Sequence, residues 1–289
     1  MKQKKSLGQH FLHSPKIIGD IIRAGSVTKK DTVLEIGPGE GTLTSALLKT
    51  GAKVVAVEKD DRLIPVLQEK FKKEINSKQL TLLHADILDL DMSRRHLDIK
   101  KYKVVANIPY YITGQIIRTF LESKNQPQSM TLLVQKEVAE RIVARPARPN
   151  GHSGGNKKES LLSLSVKVYG TPKYIRTVGR GAFSPPPSVD SAVLCIENIS
   201  KSNFSTLGVE KLSEEKFFEV LHAGFAHKRK QLLSNLNNMK LPKGLRTRSV
   251  CKLELIKAFD QCGIDLKARA ENLSIDKWFE LCGSLTSTE

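Results

Sequence analysis

The sequence has few cysteines, and those it has form no recognisable pattern. Among its 289 residues four are cysteine, namely Cys195, Cys251, Cys262 and Cys282. The gaps between them fit neither the paired spacing of zinc ligands nor the disulfide framework of a small secreted protein. We therefore expect reduced thiols and no metal site, as is typical of a cytoplasmic protein.

Long apolar runs are also missing. No stretch approaches the roughly 18 uninterrupted apolar residues that a membrane helix needs. The basic start of the chain, Met1 to Lys5, is not followed by the apolar run of a signal peptide. These absences predict a cytoplasmic protein with no membrane partner. Because 39% of the residues are hydrophobic, the chain can still bury one large core or two smaller ones, which excludes disordered and fibrous classes.

Acidic residues are in short supply, since 30 Asp and Glu stand against 47 Lys and Arg, for a net charge of +17. The imbalance is steep in residues 141–180, where nine basic residues are accompanied by a single acid, Glu159. A positive field concentrated in this way favours a polyanionic partner such as a nucleic acid. The alternative at this point is a soluble protein that is simply basic.

The first two thirds of the chain alternate short apolar runs with amphipathic segments. This order predicts an α/β fold with a parallel sheet covered by helices on both faces. The predicted strands are residues 32–36, 53–57, 80–84, 103–106 and 131–134, closed by two more at 162–169 and 189–196. The predicted helices are residues 42–49, 61–71, 115–121 and 136–143, the second of them capped by Asp60 or Asp61. Sheets of this kind bind ligands at the carboxyl ends of their strands.

The last third of the chain is helical in its periodicity. Residues 145–160 are rich in Pro, Gly, Asn and Ser and predict a basic loop. After residue 199, helices are predicted at residues 213–225, 228–237, 252–262 and 274–281. We therefore predict two domains, a sheet-containing domain over residues 1–204 and a small all-α domain over residues 205–289.

A glycine-rich segment, Gly37–Gly41, follows the first predicted strand and leads into a helix. Glycines let the backbone turn tightly and approach a ligand closely, but the G-x-G-x-G spacing is not that of a dinucleotide site, and alone the segment could be a tight turn. Glu58 ends the second strand, where it can accept hydrogen bonds from two ribose hydroxyls. Asp86 follows the third strand, where it can accept from an adenine amino group. Together these features predict a nucleoside pocket.

The tetrapeptide Asn107-Ile108-Pro109-Tyr110 follows the fourth strand of this series. An amine that is to be alkylated needs acceptors for its two hydrogens, so that its lone pair can point at the electrophile. The side-chain oxygen of Asn107 and the backbone carbonyl of Ile108 can supply them, and Pro109 restricts Ile108 to extended conformations. Tyr110 can stack on the base, which is worth roughly 1–3 kcal/mol. A tight turn with Tyr110 in the core is the alternative.

Several segments together resemble the S-adenosylmethionine-dependent rRNA adenine N6-dimethyltransferases. They are Ser6–Leu12, Glu35–Gly41, Asn107–Tyr110, Gln135–Val138 and Phe183–Val193. Phe225–Leu232 and Arg269–Ser274 resemble the family's helical domain and favour its KsgA (RsmA) branch, which modifies two adjacent adenosines near the 3′ end of small-subunit rRNA. The resemblance implies a Rossmann-like methyltransferase domain with a small C-terminal all-α domain for rRNA recognition, acting in the cytoplasm during ribosome biogenesis.

The resemblance also implies a role for each matching residue. His10 and Leu12 would contact S-adenosylmethionine from the N-terminal segment, and Gly37 would lie against its methionine and ribose portion. Glu58 would hold the ribose and Asp86 the adenine, while Asn107 would bridge cofactor and target amine. Catalysis would rest on the same Asn107, with Ile108, Pro109 and Tyr110, and on Phe183, which would stack on the target base opposite Tyr110. No metal is implied.

The chain departs from the family at two places, and these leave alternatives open. Leu161 stands where an arginine is usual, so that any RNA contact of that arginine would fall to Arg145, Arg148, Lys157 or Lys158. His10 stands where asparagine is common. We expect a monomer that acts on small-subunit rRNA in an immature small ribosomal subunit. The alternatives are an Erm-type enzyme for large-subunit rRNA and an assembly factor without activity, while the glycine spacing disfavours a dehydrogenase.

Overall fold

The computed structural model describes residues 10–90, 99, 101–144, 158–202, 204, 212–237 and 252–286. The chain divides into two compact units, one formed by Met1–Val143 with Gly170–Ser200 and the other by Ala144–Tyr169 with Lys201–Glu289. The chain passes from the first unit to the second for the last time after Ser200, close to the predicted boundary at residue 204. The described residues 158–169 fall in the second unit, whereas the sequence predicts a first domain that extends over residues 1–204. Within the described residues, every helix is too short or too polar to cross a membrane.

The first unit is built on a seven-stranded sheet. The strands of this unit are β1 Phe11–Leu12, β2 Thr32–Ile36, β3 Lys53–Glu58, β4 Leu80–His84, β5 Lys103–Asn107, β6 Ser129–Gln135, β7 Thr171–Val178, β8 Phe183–Ser184 and β9 Ser191–Glu197. The two-residue strands β1 and β8 pair with each other, and the other seven form the sheet. The order is β4-β3-β2-β5-β6-β9-β7, and the first five are parallel, whereas β9 is antiparallel to both of its neighbours. The order reverses between β2 and β5, so their carboxyl ends form the crevice where such sheets bind ligands.

Helices cover this sheet, as the α/β pattern predicts. They are α1 Pro15–Ala24, α2 Thr42–Lys49, α3 Leu63–Lys70, α4 Lys72–Asn76, α5 Thr113–Glu122 and α6 Lys136–Val143. The central strands are apolar along almost their whole length because both of their faces are covered. Val33 and Leu34 of β2 and Val104 and Val105 of β5, for example, are fully buried.

The second unit is all-helical in its described residues. Its helices are α7 Leu161–Lys167, α8 Glu214–Gly224, α9 Leu232–Leu236, α10 Lys252–Gln261 and α11 Ile275–Thr286. Its core is aromatic, with the ring of Phe217 stacked on that of Phe279 at 4.8 Å between centroids. Phe225 stacks on the fully buried Trp278. Ser213, the first residue of the predicted helix, caps α8 by accepting a hydrogen bond from the Lys216 amide.

Most predicted elements are confirmed, but one predicted strand is wrong. Residues 162–169 were expected to be a strand, whereas Leu161–Lys167 form helix α7. The apolar positions of this segment fit either period, and a capping box between Ser160 and Ser163 starts the helix. The edge strand is instead β7, which follows directly and alternates exposed and half-buried residues over most of its length.

Two helices begin later than predicted. Neither Asp60 nor Asp61 caps α3, which starts at Leu63 with Arg62 at the cap position. Asp60 accepts hydrogen bonds from the Arg62 amide and from its guanidinium instead. The helix predicted at residues 228–237 is shortened to α9, Leu232–Leu236. Cys195, Cys262 and Cys282 are thiols outside any disulfide, and all three are buried; Cys251 lies outside the described residues.

The packing of the helical unit yields a stability prediction at Gly224. A Cβ on Gly224 would lie 2.4 Å from the Trp278 ring and 2.8 Å from Leu232. Gly224→Ala should therefore lower the free energy of unfolding by about 2 kcal/mol through overpacking. Gly114→Ala is the control, because a Cβ there meets nothing within 4 Å in helix α5, and it should raise stability by about 0.5 kcal/mol. Urea denaturation of both variants checks this, and equal effects would contradict the packing.

Candidate active site

A cleft opens at the carboxyl ends of β2, β3 and β5 in the first unit, at the point where the strand order reverses. The space between its walls is about 1040 Å3 when open solvent is included. Nearly all of the predicted site residues line it. They are His10, Leu12, Gly37, Glu58, Asp86, Asn107, Ile108, Pro109 and Tyr110. Only Phe183 of the predicted set is not among the described lining residues.

The glycine-rich loop after β2 forms part of the cleft lining. Its backbone is held by a 2.9 Å hydrogen bond from the Gly37 amide to the Val57 carbonyl of β3. Gly37 has a φ of +66°, which favours glycine, and a Cβ on it would meet nothing within 4 Å. Gly39 also has a positive φ, and there a Cβ would lie 2.9 Å from the Phe11 ring. The loop therefore needs glycine for its conformation, and at Gly37 its backbone faces open space in which a ligand can approach it.

Glu58, the last residue of β3, ties the glycine loop to the next strand. Its Oε2 accepts a 3.0 Å hydrogen bond from the Gly39 amide and its Oε1 a 2.8 Å bond from the Asp60 amide. Burial raises the pKa of Glu58, and these amides partly offset that rise. Each carboxylate oxygen can accept a second hydrogen bond. The predicted ribose ligand is thus fixed in place and retains acceptor capacity toward the cleft.

Asp86 lies beyond the end of β4 and is held from two sides. Its Oδ2 accepts a 2.5 Å bond from Lys59, and its Oδ1 accepts a 3.0 Å bond from the Leu88 amide. The hydrogen bond from Lys59 and, to a smaller extent, that from Leu88 lower the pKa of Asp86. Asp86 is therefore an ionised acceptor at the cleft wall, which suits the predicted contact with an amino group.

Asn107 ends β5 and joins the cleft to the N-terminal segment. Its Nδ2 donates a 2.9 Å hydrogen bond to the carbonyl of His10. Because only the nitrogen of the side-chain amide can donate, this bond fixes the orientation of the side chain. Its Oδ1 therefore points away from the His10 carbonyl. The structure therefore brings together His10 and Asn107, which are 97 positions apart in the sequence.

The Tyr110 ring lies next to His10 and is anchored at its hydroxyl. The two rings stack with centroids 5.9 Å apart, and the Tyr110 hydroxyl shares a 2.7 Å hydrogen bond with Ser191. Ser191 lies in the predicted motif segment Phe183–Val193, so this bond joins two of the recognised motifs. Tyr111, to which the sequence assigned no role, also lines the cleft and is 65% exposed. Its aromatic residue type next to the motif is the only sequence signal that could have found it.

Phe183 is placed differently from the other predicted base contacts. It lies in β8, which pairs antiparallel with β1 so that Phe183 is opposite Leu12. The Phe183 side chain is only 5% exposed and belongs to the same hydrophobic core cluster as Leu12. In this structure Phe183 therefore supports the N-terminal segment that lines the cleft, and its stacking on a target base stays a prediction.

Glu35, the first residue of the Glu35–Gly41 motif, received no role of its own from the sequence. It is 1% exposed, and neither carboxyl oxygen has a hydrogen-bond partner among the described residues. Burial raises the pKa of Glu35 to about 8, with a further contribution from nearby Glu58, and Thr44 offsets part of the rise. A lone acid in an otherwise apolar central strand was the signal in the sequence, because buried acids without partners are rare.

The raised pKa of Glu35 predicts a stability that depends on pH. The folded protein keeps the Glu35 proton up to about pH 8, whereas an unfolded glutamate loses it near pH 4.3. The unfolded state therefore binds fewer protons between these values, and the wild type should lose stability as the pH rises from about 4.3 to 8. Glu35→Gln removes this titration, so its stability relative to the wild type should increase over the same window.

Urea unfolding at a series of pH values measures this effect. Glu69→Gln is the control, because Glu69 is an exposed residue of α3, and it should follow the wild-type pH dependence. Parallel pH profiles for Glu35→Gln and the wild type would show that Glu35 is ionised in the folded protein throughout the window.

Comparison with known proteins shows similarity over nearly the whole chain. The family model for ribosomal RNA adenine dimethylase matches residues 1–286. The ribosomal RNA small subunit methyltransferase A of Dehalococcoides mccartyi (strain CBDB1) is 43% identical over 282 residues, covering 98% of this chain and 88% of the relative. The protein of the same name from Clostridium botulinum (strain Langeland) is 38% identical over 280 residues, covering 97% and 93% respectively.

Solved structures show the same similarity in three dimensions. A dimethyladenosine transferase from Plasmodium falciparum superposes with a TM-score of 0.73 at 25% identity, covering 94% of this chain and 96% of that one. The 23S rRNA methyltransferase ErmE superposes with a TM-score of 0.71 at 23% identity, covering 96% and 100% respectively. The likeness to ErmE concerns the fold alone.

Proposed function

The chain belongs to the ribosomal RNA adenine dimethylase family, and from this premise we propose that it dimethylates N6 of two adjacent adenosines near the 3′ end of small-subunit rRNA. It is an rRNA adenine dimethyltransferase that uses S-adenosylmethionine. The choice of the small subunit rests on relatives at 38–43% identity that carry this subunit in their name. The observation that carries the chemistry is the orientation of Asn107, whose Nδ2 is taken by the His10 carbonyl.

The chemistry of the cleft fits a nucleoside that carries positive charge. Glu35, Glu40, Glu58 and Asp86 line it, and Lys59, the one lysine of the described lining, is paired with Asp86. The open space at Gly37 admits a ligand against the backbone. We assign ribose binding to Glu58, adenine binding to Asp86 and contacts from the N-terminal segment to His10 and Leu12.

The target adenine is assigned to the wall formed by Asn107–Tyr110. With the amide nitrogen of Asn107 held by His10, its oxygen is the end that can accept a hydrogen from the adenine N6. The Ile108 carbonyl is the second proposed acceptor, and Pro109, with a φ of −59°, stiffens the turn that carries it. Stacking on Tyr110 orients the base, and Phe183 is the proposed contact on its other face.

Positioning supplies most of the rate in this scheme. S-adenosylmethionine supplies an activated methyl group on a positively charged sulfur, so the protein's task is to align N6 with it. The Asn107 side-chain oxygen and the Ile108 carbonyl accept hydrogen bonds from the two N6 hydrogens, and this turns the lone pair of N6 toward the methyl group. The adenine must first leave its stack in the RNA to reach this wall.

RNA recognition is assigned to the basic surface of the chain together with the helical unit. Double-stranded RNA is recognised mostly by its shape and through contacts to its phosphates and 2′-hydroxyls. Among the basic residues of the predicted loop at residues 145–160, Lys158 is the one that the structure describes. It pairs with Glu271 of the Arg269–Ser274 motif at 2.6 Å. Arg145, Arg148 and Lys157 lie outside the described residues. We propose that the enzyme acts as a monomer on the immature small subunit.

The role of Asn107 predicts a separation of turnover from cofactor binding. Asn107→Ala should lower kcat at least 100-fold, because both the oriented acceptor and the bond to His10 are lost, while the Kd for S-adenosylmethionine should rise by less than tenfold. Asn125→Ala is a matched control, since the Asn125 amide also holds a backbone carbonyl, that of Ile99, outside the cleft. Normal turnover in folded Asn107→Ala would remove Asn107 from the reaction.

Transfer of labelled methyl groups tests the substrate. Small subunits from a strain lacking its own dimethyltransferase should accept about four methyl groups each, and nuclease digestion should yield N6,N6-dimethyladenosine. Protein-free large-subunit RNA should accept almost none. Methyl groups on the large-subunit RNA would instead establish an Erm-type activity. If neither RNA is modified while the cofactor still binds, the protein is an assembly factor without this activity.

A further inference from the structure

Glu35 is the acid in the cleft for which the scheme above has no use. It occupies the fourth position of β2, the central strand at which the sheet order reverses. Its neighbours across the sheet are Ala56 and Val105, so neither flanking strand offers a polar side chain at its register. The carboxyl has no hydrogen-bond partner among the described residues and still belongs to the cleft lining.

An ionised carboxylate in this position would be poorly compensated, because burial raises its pKa more than Thr44 lowers it. Removing such a charge from water is costly, and a poorly compensated buried acid keeps its proton instead. The hydroxyl and the backbone amide of Thr44, on helix α2, lower the pKa of Glu35, but burial outweighs them and the pKa stays raised.

The charged residues around Glu35 add to this preference. Glu58, at the end of β3, is the charged group that acts directly on Glu35, and it raises the pKa of Glu35. The other titratable groups of the lining are His10, Glu40, Lys59, Asp86, Tyr110 and Tyr111. The only lysine among them is paired with Asp86. A positive charge that would stabilise ionised Glu35 must therefore come with a ligand.

We propose that Glu35 is protonated in the cleft without ligand and gives its proton to solvent when S-adenosylmethionine binds, so that Glu35 favours the positively charged cofactor over its neutral-sulfur product. This rests on the proposed function and deepens it. Unlike charges in a site of low dielectric attract strongly, and the cofactor carries one positive charge more than S-adenosylhomocysteine. After methyl transfer that charge is gone, Glu35 takes a proton back from solvent, and the product is held less tightly.

The proton balance makes the proposal measurable without any turnover. Titration calorimetry at pH 7 in two buffers of different ionisation enthalpy gives the number of protons released on binding. The wild type should release close to one proton with S-adenosylmethionine and clearly less with S-adenosylhomocysteine. Its affinity for S-adenosylmethionine should also rise with pH up to about pH 8, while the affinity for the product should change much less.

Two variants assign the proton to a residue. Glu35→Gln mimics the protonated acid, so it should abolish the release and reduce the preference for S-adenosylmethionine over S-adenosylhomocysteine about tenfold, mainly by weakening the former. Glu58→Gln is the matched control in the same cleft. It should weaken both ligands, because both contain the ribose, and it should leave the proton release in place.

Each outcome separates this proposal from the proposed function. If the wild type binds S-adenosylmethionine and methylates small-subunit rRNA without releasing a proton, the role of Glu35 is wrong and the function stands. Proton release that disappears in Glu58→Gln and persists in Glu35→Gln would assign the proton to Glu58. Equal release with both ligands would remove the discrimination between substrate and product. If Glu35→Gln does not fold, the wild-type comparison of the two ligands remains decisive.

Discussion

The hydrogen bond from the Gly39 amide to the Glu58 carboxylate is the interaction on which the cleft depends. It joins the loop after β2 to the end of β3, and the amide of Asp60 holds the second oxygen of the same carboxylate. The cofactor can place its ribose on Glu58 and lie against the backbone of Gly37 only if these two segments keep a fixed separation. The positive φ values of the loop glycines make that geometry accessible without strain.

A second set of contacts fixes the other wall. β1 pairs with β8, so Leu12 is held opposite Phe183, and the His10 carbonyl receives the Asn107 amide. The His10 ring donates a 2.8 Å hydrogen bond from Nδ1 to the Pro185 carbonyl and stacks on Tyr110. Residues from three distant parts of the chain thus define the place of the proposed target amine. The reaction needs alignment more than it needs acid or base catalysis, and these contacts provide it.

Much of this could be predicted from the sequence because the signals were local. Residues 32–36, 80–84 and 136–143 form the elements expected of them, since each is a short apolar or amphipathic run with clear ends. The site followed from topology, because the carboxyl ends of parallel strands meet at one edge. Asn107, Glu58 and Asp86 were therefore placed in one cleft before any contact was known.

The errors came from features that depend on tertiary contacts. Strand β7 is an edge strand with polar residues such as Lys173 and Arg176, so it lacks an apolar run, and the apolar segment before it is a helix set by its cap. The role of Phe183 stays a prediction, because its motif cannot show that the side chain shares a hydrophobic cluster with Leu12. The consequence of burying Glu35 became visible only with its surroundings.

The placement of both ligands can be seen in a crystal structure of the complex with S-adenosylhomocysteine and an RNA oligonucleotide that contains the target adenosine. In this complex the cofactor ribose hydroxyls should lie on the Glu58 carboxylate and its adenine amino group on Asp86. The target N6 should lie within hydrogen-bond distance of the Asn107 side-chain oxygen and the Ile108 carbonyl. A cofactor bound without contact to Glu58, or a target base away from the Asn107–Tyr110 wall, would contradict this placement.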